Sequence, residues 1–185
     1  TTFKLNAPKK PILRIYDTGR GGNAIKKIKM KQTATNVWET TINGDLKGKF
    51  YTFDIGRGET PGVFAKAVGI NGHRGAIVDM QTTNPTGWNN DHRLTLKNPA
   101  DLIIYEMHHR DFSIDPSSGL VNKGKFLALT EQKAIKHLKE LGVNAVHILP
   151  SFDFASIDES NTTTPQYNWG YDPLNYNVPE GSYSF

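Results

Sequence analysis

Two short apolar runs, Leu102-Ile103-Ile104-Tyr105 and Ala145-Val146-His147-Ile148-Leu149, limit the fold more than any other feature of this chain. A continuous apolar run of this length suits a strand buried on both faces, the habit of parallel sheets. Between them Ala134, Ile135, Leu138 and Leu141 fall on one helical face. Thr130 is placed as the N-cap, Glu131 complements the dipole in the first turn, and Gly142 ends the helix. Strand, helix and strand in that order make a right-handed parallel βαβ unit, its second strand stopped by Pro150. Such a unit cannot be complete, because two parallel strands leave apolar faces and open edges uncovered. From Pro150 to Phe185 the sequence reads as a long loop without another strand or helix. The chain is therefore expected to be an amino-terminal piece, with the remainder of the same polypeptide, as a second chain, completing the sheet.

Upstream the texture is different. Residues 1–10 read as a flexible lead-in. From Pro11 to about residue 97, short β-branched and aromatic runs are broken by Gly, Asn, Asp and Pro. Strands are expected near Pro11–Thr18, Ala24–Gln32, Asn36–Ile42, Lys49–Ile55 and Ala76–Met80, at the spacing of a β-sandwich. Trp38 is read as core rather than as a ligand platform. The texture changes after Asn98-Pro99, which divides the chain into residues 1–98 and 99–185.

Net charge is +4 and the isoelectric point lies near 9.2. Lys26, Lys27, Lys29 and Lys31 alternate with Ile25, Ile28 and Met30 as on the wet face of a strand, so the excess reads as solvated surface. A nucleic-acid partner would want arginines and a binding fold beside them, and neither is visible. The lack of cysteine excludes disulfides, thiolate metal sites and cysteine nucleophiles, but does not fix the compartment. The reading leans toward a secreted or cell-envelope bacterial protein. No apolar run approaches a membrane span, and no signal peptide is visible. The first residue is Thr rather than Met, so the true amino terminus is expected to lie upstream.

Residues 166–184 pack five aromatic rings and three asparagines into nineteen positions with almost no aliphatic side chains. Such a segment builds no core. Flat rings and amides on a turn-rich loop suit a polyhydroxylated ligand, the rings covering C–H faces and the amides bonding hydroxyls. The competing reading is a surface loop whose aromatics pack back on the protein.

Within that loop Gln166-Tyr167-Asn168-Trp169-Gly170-Tyr171-Asp172-Pro173 resembles the YNWGYDP signature of type I pullulanases, debranching members of the α-amylase superfamily. Three further segments carry the same resemblance in the family's order. Residues 141–154 resemble LGVTHVQLLPVFDF, residues 105–112 resemble YELHVRDF, and residues 44–51 resemble GDLKGxYY. His109 departs from the family's usual Val. The resemblance implies an all-β sandwich of immunoglobulin-like, starch-binding-module type followed by the first βαβ part of a (β/α)8 TIM barrel. It implies a retaining glycoside hydrolase cleaving α-1,6 links in pullulan and branched α-glucans. Tyr171 would stack under the sugar, with Asp172, Asn168 and Trp169 lining or bracing the subsite, and Trp169 read as support before contact.

Glycoside hydrolysis needs two carboxyl groups across the scissile bond. Glu106 and Asp111 flank the end of the first strand, but the resemblance puts the catalytic groups after later strands, so no catalytic residue is assigned in this chain. Arg110 and Asp111 are read as an ion pair. His108 and His109 point to opposite faces, one of them expected to be buried and hydrogen-bonded, and His147 reads as a satisfied core histidine. No metal and no cofactor is assigned, with calcium left open for the complete enzyme. The expected partners are an α-glucan and the remaining carboxy-terminal part, with no nucleic acid and no membrane. A branching enzyme or isoamylase shares the plan, and a non-catalytic α-glucan-binding module is the other alternative.

Overall fold

The computed structural model describes residues 1–92 and 95–184; Arg93, Leu94 and Phe185, which fall within the two expected segments, lie outside the described residues. The first part is built from β1 (Thr2–Asn6), β2 (Ile12–Tyr16), β3 (Lys26–Lys29), β4 (Lys31–Ala34), β5 (Val37–Thr41), β6 (Phe50–Asp54), β7 (Glu59–Thr60) and β8 (Gly75–Ala76). One antiparallel sheet has the order β1-β5-β4, the other β3-β2-β6-β7 with β8 added against β6. Period-two alternation turns Phe3 and Leu5 of the first sheet, and Leu13, Ile15 and Phe53 of the second, onto one shared core with Met30, Ile42 and Leu46. Leu13, Ile15 and Met30 are fully buried, each contributing roughly 1.5–3 kcal/mol of apolar transfer.

Three expectations for this part need correction. Residues 1–10 are not a free lead-in: β1 pairs along its length with β5, from Thr2↔Thr41 to Asn6↔Val37. Thr-Phe-Lys-Leu-Asn does alternate, but five residues reveal a strand only when the partner is known. The segment Ala24–Gln32 is not one strand. It breaks at Met30, whose N–H bonds Pro11 O at 3.2 Å while its side chain fills the core, so β3 joins one sheet and β4 the other. Asn36, at φ 58°, makes the tight link from β4 to β5 in a conformation asparagine tolerates. The strand expected at Ala76–Met80 stops at Ala76, because Asp79 caps a 3-10 turn over Met80–Thr83 through Gln81 N. Trp38 is half-buried against the core, its indole N–H donating to Ala7 O at 2.9 Å.

The second part holds β9 (Ile104–Met107), the single-turn α1 (Asp111–Ile114), α2 (Gln132–Glu140), β10 (Ala145–Ile148), β11 (Phe152–Phe154) and β12 (Pro173–Pro179). β9 and β10 are parallel, with Tyr105↔Val146 and Glu106↔His147 in register. Helix α2 starts one residue later than expected. Thr130 closes a preceding 3-10 segment, while Glu131 stands at the cap and its carboxylate accepts the N–H groups of Val121 and Asn122. Gly142 ends the helix at φ 76° as expected, and Ala134 packs with Leu120, Ala128 and Phe112.

The parallel strands are not covered on both faces. Ile104 is 58% exposed, and Val146 and Ile148 also meet solvent. His147 is not a core histidine: its side chain is 67% exposed and its Nδ1 sits 3.0 Å from Glu106. The stretch after Pro150 also contradicts the reading of a long loop, because β11 pairs antiparallel with β12. That ladder is bulged and begins and ends in proline, which hides it from a search for regular alternation.

Candidate functional site

β11 and β12 are the two posts of a loop spanning residues 155–172, and the local sequence explains its shape. Ala155 N bonds Asp172 O at 3.0 Å, closing the base. Asn168 crosses the neck: its Nδ2 donates to Asp172 Oδ1 at 2.8 Å and to Ser156 Oγ, while its Oδ1 accepts Gly170 N–H. Gly170 is required there, because at φ 84° a Cβ would collide with the carbonyl of Pro150. Burial pushes the Asp172 carboxyl upward, yet the bonds from Asn168 and Ser156 outweigh it and hold the group below the ordinary carboxylate range.

Standing on this base, Tyr167 is 82% exposed, Trp169 61% and Tyr171 66%. The rings of Tyr167 and Trp169 lie 6.2 Å apart. Tyr167, Asn168 and Trp169 border a cleft of about 410 Å3, which Arg110, Lys125 and Tyr183 also line. Tyr171 and Asp172 do not line that cleft; Tyr171 projects to solvent from the same loop, and Asp172 braces its base. Of the four residues expected at a subsite, the structure joins Asn168 to Asp172 directly and leaves the Trp169 and Tyr171 rings free to meet a ligand. Exposed rings beside amide and hydroxyl groups can bind a sugar through its C–H faces and hydroxyls.

At the cleft, which His108 helps to line, the two histidines divide their roles. His108 Nδ1 accepts Asp111 N–H at 3.3 Å, and its Nε2 lies 3.2 Å from Tyr183 OH. His109 is buried against Phe126 at 4.6 Å and Tyr183 at 5.6 Å, yet neither ring nitrogen has a partner among the described residues. The buried, hydrogen-bonded imidazole expected of one member of the pair is therefore His108, whose side chain is 8% exposed, while His109 is buried without a partner among the described residues. Burial, and then His108, lower the His109 pKa and keep that ring neutral. Burial and then Glu180 push the Tyr183 phenol up to about 12. Arg110 and Asp111 are paired at 3.8 Å.

Sequence reading missed a group of acids at the foot of the loop. Carboxylate oxygens of Asp153, Glu159 and Glu180 lie within 4.8 Å of one another, and Asp153 and Glu180 are buried. These could hold a divalent cation, but amide donors already engage them. Asn175 Nδ2 reaches Asp153 Oδ2 at 2.6 Å, and Asn71 N–H reaches Glu159 Oε2. Phe154 and Ser182 N–H groups fill Glu180. Burial raises the pKa of both Asp153 and Glu180. Nothing in the sequence brings these three acids together, since β11 and β12 meet only in the fold. No helix among the described residues is long and apolar enough to cross a membrane.

No family model matches the chain. The pullulanase of Bacillus subtilis is 37% identical over 202 residues, covering 100% of this chain and 27% of that protein. Isoamylase 3 of Oryza sativa, a chloroplast protein, is 39% identical over 108 residues, covering 55% of this chain and 14% of that one. Among solved structures, apo pullulanase from Paenibacillus barengoltzii superposes with a TM-score of 0.93 at 43% identity, covering 98% of this chain and 30% of that one. The same enzyme has been solved with maltohexaose and α-cyclodextrin. This chain thus spans under a third of the length of the pullulanases it matches. Matched along nearly all of its length in both sequence and fold, the chain belongs to the type I pullulanase family and corresponds to an amino-terminal portion of it.

Proposed function

We propose that the whole protein is a pullulanase-like glycoside hydrolase that cleaves α-1,6-glucosidic links in pullulan and branched α-glucans with retention of configuration. The observation that carries this is the loop 166–173, where Tyr167, Trp169 and Tyr171 stand exposed on a neck fixed by Asn168 and Asp172. A ring below a sugar orients it and excludes water around a developing oxocarbenium ion. In this reading Tyr171 stacks on the glucosyl unit whose bond is cut, Trp169 and Asn168 line the subsite, and Asp172 braces it. The catalytic carboxylates belong to later strands outside this chain.

Residues 1–98 serve as an immunoglobulin-like module of the starch-binding type, and residues 99–185 open a (β/α)8 barrel. The exposed faces of β9 and β10 favour this, because Ile104, Val146 and Ile148 need further strands and helices to cover them. The rest of the enzyme, present as a second chain, supplies that cover. The isoamylase likeness favours a second reading, an isoamylase-type debranching enzyme. Product analysis separates the two: a pullulanase converts pullulan to maltotriose, with the new reducing end first appearing as the α-anomer. Failure to cut pullulan, with branched amylopectin cut normally, would transfer the protein to the isoamylase reading, and a β-anomer first would refute retention.

A further inference from the structure

We infer that Asn71, on the β-rich part, is a positioning residue that sets the placement of the aromatic loop far away in sequence. Asn71 occupies a tight turn over Ile70–Gly72 with φ 60°. Its side chain faces the loop with both ends engaged: Nδ2 donates to Asp158 Oδ1 at 3.0 Å, and Oδ1 accepts Glu159 N–H at 2.9 Å. Its own N–H donates to the Glu159 carboxylate. Asp158 in turn is gripped by Gln166. Its N–H donates to Gln166 Oε1 at 2.7 Å and its carbonyl accepts Gln166 Nε2 at 3.1 Å. Gln166 directly precedes Tyr167, so two successive hydrogen-bonded steps and one peptide bond lead from the turn to the first exposed ring.

The same turn also reaches the other end of the loop. Gly72 O accepts Asn175 Nδ2 at 3.0 Å, and Asn175 lies in β12 just beyond Asp172 and Pro173. One three-residue turn therefore holds the segment before the aromatic string and the strand after it. A loop gripped at both flanks has few conformations left to lose when a ligand binds, which lowers the cost of binding. The geometry explains why the β-rich part is coupled to the sugar-facing side: it acts as the jig for the loop, whether or not it touches glycan itself.

This deepens the proposed glucan subsite and rests on it, and the test keeps the two apart. Asn71→Gly in the complete enzyme removes both side-chain bonds while leaving the left-handed backbone unstrained. Amide exchange is followed at residues 158–161 and 170, together with kinetics on pullulan. Expected are lost protection at those amides, unchanged protection in β2 and β6, and a KM raised roughly five- to tenfold with kcat within about twofold. Unchanged protection overturns the inference, and so does lost protection with an unchanged KM. Lost protection in a protein whose wild type turns over no α-glucan supports the brace and sinks the sugar reading. Gln166→Ala cuts the same route nearer the rings and should give the same KM split. If Asn71→Gly fails to fold, an unchanged KM in Gln166→Ala overturns the inference.

Discussion

Tyr171→Ala is the sharpest probe of the loop, because exposure separates its two possible roles numerically. The side chain is two-thirds exposed, at 66%, so only about a third of the roughly 1.5–3 kcal/mol that full burial of an aromatic contributes is at stake in the fold. That is about 0.5–1 kcal/mol, a shift of at most about 2–4 °C in Tm. The free two-thirds is what a sugar would cover. It is worth about 1–2 kcal/mol by area, with a further 0.5–1.5 kcal/mol for face-on aromatic contact taken from aromatic pairs. A total of about 1.5–3.5 kcal/mol corresponds to a fall of roughly 10- to 400-fold in kcat/KM. Thermal unfolding and initial rates on pullulan, measured on the complete enzyme, read both quantities from one preparation. A Tm lowered by about 8 °C or more with kcat/KM intact would refute the reasoning, since the ring would then be packing rather than binding.

Two further expectations test the ground beneath the loop. Burial raises the folded pKa of Asp153 above its unfolded value, so the folded state holds the proton more tightly, and stability falls as pH rises from the unfolded toward the folded pKa. Asp153→Asn keeps an acceptor for Asn175 and removes that loss, so its Tm should exceed wild type at pH 7 and lose the advantage near pH 4. A lower Tm at pH 7 would contradict the assignment. Leu13→Ala, at a fully buried position between the sheets, should cost about 2–5 kcal/mol in urea unfolding, and a loss below about 1 kcal/mol would contradict the shared core.

The strands that could be read from sequence are those whose pattern is local. β2, β5 and β6 each set alternating apolar residues between turn formers, and α2 shows its apolar face and its glycine stop. What stayed hidden depends on a distant partner. β1 exists because β5 accepts it, and the break at Met30 exists because the core between two sheets accepts its side chain. β11 and β12 find each other across a loop and through bulges. His147 shows the opposite error, since apolar neighbours in sequence suggest burial that needs elements beyond the pair β9–β10. At the site the aromatic string is legible by composition alone. The acids Asp153, Glu159 and Glu180, and the brace from Asn71, arise only when four separate segments converge.

Met30 has a mechanical consequence. Because one continuous segment, Lys26–Ala34, is stitched into β2 by its first half and into β5 by its second, neither layer can peel away alone. Separating them would have to draw a fully buried thioether out into water and tear rungs from both ladders together. The two layers are thus locked into a single melting event, and the platform from which Asn71 reaches out stays rigid until the whole of it gives way.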